Sequence, residues 1–425
     1  MYEAYLEKAI LRICSQPRTF EYISKNLSGL DPTVVNRILR QLVEKELVVS
    51  MDGYWVIKEV STNKNLELYP NDEKIFLQKY MGYFDFLKTP HPLDFEWRNS
   101  TKSLHRLLNR LTEINNPHDK ILLLGMPTLF ATAIQKDVPN QITLIERNKP
   151  IVQSLTTQIT DKRRFNIYEA DIFKIEPASI SDHFCVVMDP PWYTEHFKQF
   201  MWLAASKTEL GGIVIISLPP INTRPSVPEE RIDWFSYCNQ LGLCLETLAP
   251  QQLQYSMPFF EFNALRAAGI TDILPFWRNG DLAIFRKIDQ VKISRPTIVI
   301  EENSWIEKEY NTVRIRVKNQ NDVVSCEDGA LEISHLVPND ILPTVSARHE
   351  KRKLANMMTS GNRIFAVNHP KRFLHNLELL TQGKYEDTQD YRSVEKFMTI
   401  IADLEKREYK DFITWIYYEM ERQTD

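Results

Sequence analysis

The sequence predicts an α/β chain: a parallel sheet with helices on both faces, preceded by a small helical unit and followed by an α+β extension. Three observations carry this. Short, mainly apolar runs, KILLLG, QITLIE, FCVVMD and GGIVIISLP, end in Gly125, Glu146, Asp189 and a proline. Helical stretches such as KPIVQSLTTQI and EHFKQFMWLAASKTEL separate them. Strands that lack apolar–polar alternation are buried on both faces, as in a parallel sheet covered by its crossover helices. We place this core at residues 116–290, a first unit at 1–60, a helical connector at 61–115 and an α+β domain at 291–425.

In the first unit apolar residues recur at helical spacing in YLEKAILRIC, FEYISKNL and PTVVNRILRQLVEKELV. Asp31 followed by Pro32 is an N-cap and first turn for the third helix. VVSMDGYWVIKEV then reads as a hairpin turning at Asp52-Gly53. Three helices and a β-wing describe a winged helix-turn-helix. If it bound DNA, Asn36, Arg37, Arg40, Gln41 and Lys45 of the third helix would face the major groove. The alternative is packing against the rest of the chain, a second copy in a homodimer, or another protein.

The chain's 425 residues exceed one ordinary core, and its net charge of −4 exerts no global pull toward nucleic acid or an anionic membrane. Five scattered cysteines form no CxxC pair, and the nine histidines show no HxH or HxxxH spacing, so neither a disulfide framework nor a metal site is expected. No signal peptide or membrane span is read, and the expected location is cytoplasmic.

In the core, strand ends carry the chemistry. An open parallel sheet binds ligands outside the carboxyl ends of its strands, and Gly125, Glu146, Asp171 and Asp189 fall at or just past such ends. An acid about 20 residues past a glycine turn, as Glu146 is past Gly125, is placed to accept hydrogen bonds from ribose hydroxyls. Asp171, in YEADIF, could accept from the amino group of an adenine ring. DPPWY at 189–193 is a stiff corner. An acid and a backbone carbonyl, both acceptors, can hold the N–H groups of an amine and leave its lone pair aimed at an electrophile. Pro190 and Pro191 fix that carbonyl, and Trp192 and Tyr193 can stack on a flat group or shield a cation.

This order of Gly125, Glu146, Asp171 and DPPW resembles the class I S-adenosylmethionine-dependent methyltransferases that modify amino groups, which have a Rossmann-like core. Within them, the N-terminal unit together with ILLLGMPTLFATAI and DPPWYTEHFKQFMWLAA is similar to the branched-chain polyamine synthase family, which transfers aminopropyl groups from decarboxylated S-adenosylmethionine to spermidine. That family carries acids after the glycine, where this chain has Met126, Pro127 and Thr128. The resemblance implies S-adenosylmethionine or its decarboxylated form as donor, held by Gly125, Thr128, Glu146 and Asp171. Asp189 and Pro190 would orient the amine-bearing acceptor, beside Trp192 and Tyr193. The expected reaction is methyl transfer to an amino nitrogen of a small amine or nucleic-acid base. Aminopropyl transfer to a polyamine is the alternative, and a non-catalytic DNA-binding or scaffold protein with a degenerate core the third reading.

Glu195, Asn222 and Arg224 are candidates for the acceptor pocket, as is Glu261 in QYSMPFFEFNAL, whose aromatics are assigned to the core. WRNGDLAIFRK is read as a turn at Gly280 and a last strand closing the sheet. Beyond Val291, TIVIEE and TVRIRVK read as strands, residues 343–370 as a loop-rich stretch, and the chain from about Lys371 as helices. Arg348, His349, Lys351, Arg352 and Lys353 form the most basic cluster, a solvated face or a holder of phosphate.

Overall fold

The computed structural model describes residues 2–61, 87–94, 96–297, 305–319 and 329–422. The N-terminal unit runs α1 (Tyr2–Ile13), β1 (Arg18–Thr19), α2 (Phe20–Lys25), α3 (Pro32–Glu44), β2 (Val48–Met51), β3 (Tyr54–Ile57) and the one-turn α4 (Lys58–Ser61). Asp31 caps α3, its Oδ1 accepting the Thr33 N–H at 2.8 Å. The strands form an antiparallel sheet of order β1-β3-β2. Just under half of the connector expected over 61–115 lies outside the described residues; the rest is an irregular segment leading into α5 (Thr101–Ile114).

The core continues with β4 (Lys120–Leu124), α6 (Pro127–Gln135), β5 (Gln141–Glu146), α7 (Lys149–Thr156), β6 (Phe165–Glu169), β7 (His183–Met188), α8 (Thr194–Lys207), β8 (Thr208–Leu218), α9 (Val227–Gln240), β9 (Leu243–Gln254), α10 (Phe259–Ala267) and β10 (Asn279–Lys287). Its seven strands lie in the order β6-β5-β4-β7-β8-β10-β9. The pairs from β6 to β8 are parallel, and β10 runs antiparallel to both β8 and β9. The apolar runs have a direct cause in this geometry. Ile121 and Leu123 of β4 face one core with Leu107, Phe130 and Leu155, while Leu122 and Leu124 face the other with Phe197, Leu203 and Trp234. Connections leave β4 and β7 in opposite directions along the sheet, so the switch point falls between them and a crevice opens beyond Gly125 and Asp189.

Two features depart from the sequence reading. The last core strand, β10, does not close the sheet; it inserts between β8 and the edge strand β9, which the mixed polarity of LCLETLAPQQLQ conceals. The stretch expected to be loop-rich contains α11 (Glu350–Leu354) and a tight hairpin, β14 (Met357–Thr359) and β15 (Ile364–Val367). These strands join β11 (Trp305–Tyr310), β12 (Val313–Lys318) and β13 (Ile333–His335) in an antiparallel sheet of order β11-β12-β14-β15-β13. TVRIRVK supplies β12, whereas all but the first residue of TIVIEE lies outside the described residues. Helices α12 (Pro370–Thr381) and α13 (Gln389–Arg422) cover this sheet through Phe373, Val394 and Met398.

The three parts share buried surface. Leu6, Ile38 and Leu39 of the first unit pack in one apolar cluster with Phe259, Phe262 and Trp277 of the core and with Phe412 and Ile416 near the end of α13. The Asn222 side chain donates to the Leu27 carbonyl at 3.1 Å, and its backbone N–H to the Ser28 carbonyl at 3.0 Å. No helix among the described residues is long and apolar enough to cross a membrane. Replacing Asn222 with Ala should leave the Leu27 carbonyl with only the Leu30 N–H, at 3.3 Å, and cost about 1 kcal/mol of stability. We expect a lower denaturant midpoint with an unchanged slope.

Candidate active site

A cavity of about 270 Å³ opens at the switch point. Gly125 ends β4 with a φ of +64° that favours glycine, and its N–H bonds to the Ile145 carbonyl at 3.0 Å. Pro127 then starts α6 along one wall. Asp189 and the Pro-Pro-Trp-Tyr corner form the facing wall. Trp97, Asn99 and Arg278 supply a third, while Asp31 of the first unit and Thr344 to Ser346 and Arg348 of the C-terminal unit close the mouth.

Asp189 is the centre of the hydrogen bonding. Its Oδ1 accepts the Tyr255 hydroxyl at 2.8 Å, and that hydroxyl lies 2.5 Å from Ser217 Oγ. Its Oδ2 is 3.5 Å from the Asn99 amide nitrogen. Among the described residues no lysine or arginine is ion-paired with it. Burial therefore dominates, pushing the Asp189 carboxyl up from 3.8 to about 7 in spite of its neutral donors. Burial and the adjacent Asp189 also raise the Tyr255 phenol well above 10, so it stays a donor. Gly280 makes room for this arrangement. A Cβ there would lie 2.7 Å from Ser217 Oγ and 3.2 Å from the Tyr255 ring.

Two acceptors beside Asp189 lack partners among the described residues. Asn99 Oδ1 is buried without a donor, in a residue only 3% exposed. The Pro191 carbonyl accepts the Tyr193 N–H at 2.7 Å, while the Pro190 carbonyl takes no described donor. Trp192 meets Tyr255 edge to face, with centroids 5.8 Å apart. Arg278 lies 5.1 Å from the Trp97 ring centre and 6.0 Å from that of Trp192.

Of the residues singled out in the sequence, Gly125, Thr128, Asp189, Pro190, Trp192, Tyr193 and Arg224 line the cavity. The others do not. Asn222 is turned away from the expected acceptor pocket because its amide holds the first unit. Glu261 is buried behind the wall, ion-paired with Arg278 and accepting the Trp97 indole N–H at 3.2 Å; it sets the wall rather than touching its contents. Glu195 is exposed in the first turn of α8. Glu146 and Asp171 lie at the successive ends of β5 and β6, outside the cavity but along the same sheet edge. Glu146 Oε1 accepts the Asn148 N–H at 2.7 Å, and burial pushes this carboxyl up to about 7. Asp171 Oδ1 accepts the Phe173 N–H at 2.9 Å.

Asn99, Ser217 and Tyr255 were not legible as site residues. Tyr255 stood in a stretch whose aromatics read as core, and nothing marked Asn99 or Ser217. Among the described residues no cluster of three His, Cys, Asp or Glu could hold a metal ion.

No protein-family model matches the sequence, and no curated protein is similar to it. The fold is similar to that of the branched-chain polyamine synthase from Thermus thermophilus, solved with N4-aminopropylspermidine and 5′-methylthioadenosine. The TM-score is 0.55 at 11% identity, covering 71% of this chain and 91% of that one. The C9 mutein of the same synthase gives the same score and identity, with 90% of its chain covered. An S-adenosylmethionine-dependent methyltransferase from Corynebacterium glutamicum overlaps less, at a TM-score of 0.30 and 13% identity over 44% of this chain and 89% of that one. At these identities the likeness to the synthase is one of fold.

The raised Asp189 carboxyl has a stability signature. Its favourable contribution is complete below the ordinary carboxyl value of 3.8 and is lost as pH rises through about 7. Asp189→Asn should therefore melt higher than the parent at pH 8, by a free energy on the order of a few kcal/mol, and the gap should close as pH falls toward 4. Thermal melts of both proteins across this range check it.

Proposed function

We propose that the chain transfers the methyl group of S-adenosylmethionine to an amine nitrogen. The observation that carries this is the half-buried Asp189 carboxyl, unpaired with any described cation, flanked by two acceptors without described donors, the enclosed Asn99 Oδ1 and the Pro190 carbonyl, and facing the Gly125 turn.

The residues fit such a donor. The Gly125 turn is open to the cavity, Glu146 and Asp171 continue the strand-end row in the direction a nucleoside would extend, and Trp192 and Tyr193 offer ring faces to a sulfonium. Bound there, the donor supplies a methyl carbon made electrophilic by its positive sulfur. Asp189, the Pro190 carbonyl and Asn99 Oδ1 take N–H groups of the acceptor and leave its lone pair directed at the Gly125 side. An Asp189 carboxyl near pKa 7 is matched to accepting the proton that the alkylated nitrogen sheds. Tyr255 and Ser217 keep that carboxylate oriented from behind.

The cavity wall favours methyl over aminopropyl transfer. Glu96, Glu230 and Glu261 neutralise Arg98, Arg224 and Arg278, but Arg348 has no carboxylate partner among the described residues and Met126 to Thr128 are uncharged, which suits a polycationic acceptor poorly. Aminopropyl transfer remains the second reading because the fold is similar to the polyamine synthase and because Asp31 and Glu96 add acids to the same wall.

We read the first unit as a winged helix recruited as a wall of this site rather than as a DNA reader. Arg37 pairs with Glu3 at 2.9 Å and Lys45 with Glu7 at 2.6 Å, so acids of α1 neutralise two of the cations that a phosphate backbone would need.

Calorimetric titration should show binding of S-adenosylmethionine in preference to its decarboxylated form, and Asp189→Ala should lose at least about a hundredfold in transfer rate while remaining folded. Preference for the decarboxylated donor would install the aminopropyl reading; binding of neither would sink both. Duplex DNA should bind weakly at moderate salt, and equally so after Arg37→Ala with Arg40→Ala. A strong, salt-dependent affinity abolished by that pair would restore the groove-reading role.

A further inference from the structure

The four arginines of the cavity wall are not equivalent. Arg98 is paired with Glu96 at 2.8 Å, Arg224 with Glu230 and Arg278 with Glu261. Arg348 has no carboxylate partner among the described residues; its guanidinium sits 5.0 Å over the Tyr193 ring, next to the amine-holding corner. Nor is its loop loosely placed. Arg352, only 7% exposed, donates from Nε to the Ser346 carbonyl at 3.2 Å and from Nη2 to the Thr344 carbonyl at 3.0 Å and Asn362 Oδ1 at 2.7 Å. Asn362 in turn donates to the Leu342 and Thr344 carbonyls at 2.7 and 3.2 Å. Burying a guanidinium on carbonyls alone is costly, and here it fixes the segment that presents Arg348. Arg352 likewise has no carboxylate partner among the described residues, but it lies behind the cavity lining.

We propose that Arg348 is an anion subsite of the acceptor, so that the substrate is a small amine carrying a carboxylate or phosphate: its nitrogen at Asp189 and its anionic group at Arg348, beside Tyr193. This rests on the amine-transferase reading for the nitrogen end. It adds a role for the C-terminal unit, which the chemistry at Asp189 does not require. A planar guanidinium braced on an aromatic ring is suited to two-pronged binding of such oxygens. The donor's own carboxylate is the other source of that chemistry, and the test separates the two.

The probes are matched pairs titrated calorimetrically into the whole protein without donor: 4-aminobutyrate against 1,4-diaminobutane, and O-phosphoethanolamine against ethanolamine. In at least one pair the anionic member should bind at least about tenfold more tightly, and Arg348→Glu should abolish that preference while leaving the melting temperature unchanged. Equal binding within both pairs, binding of none, preference for 1,4-diaminobutane, or a preference that survives Arg348→Glu would overturn the proposal. In parallel arms S-adenosylmethionine and its decarboxylated form are titrated. If Arg348→Glu weakens only the first, Arg348 serves the donor and the acceptor assignment fails. If the parent binds neither donor while the anionic preference holds, it is the transfer reading that fails and the anion subsite that stands.

Discussion

The structure around the cavity is organised by one constraint: a carboxyl group is held at the end of β7 with neutral donors and no described counter-cation. A lone, largely enclosed carboxylate is expensive, and the fold meets that expense with hydrogen bonds from Tyr255 and Asn99 and with Ser217 bonded to the Tyr255 hydroxyl, three separate places. Tyr255 arrives from the chain just past β9, Ser217 from the end of β8 and Asn99 from the segment before α5. The antiparallel insertion of β10 carries Gly280 to a position where a side chain would crowd both Ser217 and Tyr255. Sheet order and residue type thus serve a single atom group.

Under the proposed function the remaining deficit is useful. A fully satisfied, ion-paired Asp189 would be more stable and would have neither the affinity for an incoming amine nor a pKa near that of a working proton acceptor. The open acceptors beside it have the same character, since Asn99 Oδ1 and the Pro190 carbonyl could be satisfied by the N–H groups of a bound ligand. Asp189, Asn99 and Tyr255 are best understood as one unit, in which substitution of any member would disturb the others.

Enclosure of the site depends on three units being held together. The apolar cluster shared by the first unit, α10 and the end of α13 does most of this work. Buried polar groups give it direction. Arg314 links Asp94 to Glu307, tying the segment before α5 to the C-terminal sheet, and Arg363 pairs with Glu408, which also accepts the Asn263 amide at 3.1 Å. Such pairs contribute little net stability but penalise misplacement, which is the property needed to keep Asp31 and Arg348 at the mouth of one cavity.

What the sequence determined by itself was local. Apolar runs without alternation specified strands buried on both faces, helical periodicity specified the crossovers, and the abrupt endings at Gly125, Glu146 and Asp189 located three strand ends, two of which line the cavity. These features depend on neighbours a few residues away, which a sequence displays directly. The site's other half depends on which strands become neighbours. Tyr255 meets Asp189 across 66 residues of chain and Asn99 meets it across 90, through an insertion of β10 that no local pattern announces. The same distant pairing turned Asn222 toward Leu27 and Glu261 toward Arg278, and it brought Arg348, legible only as part of a basic run, over Tyr193. Only the tertiary structure could decide these partners, because a side chain's role is set by what the folded sheet and its flanking units place opposite it.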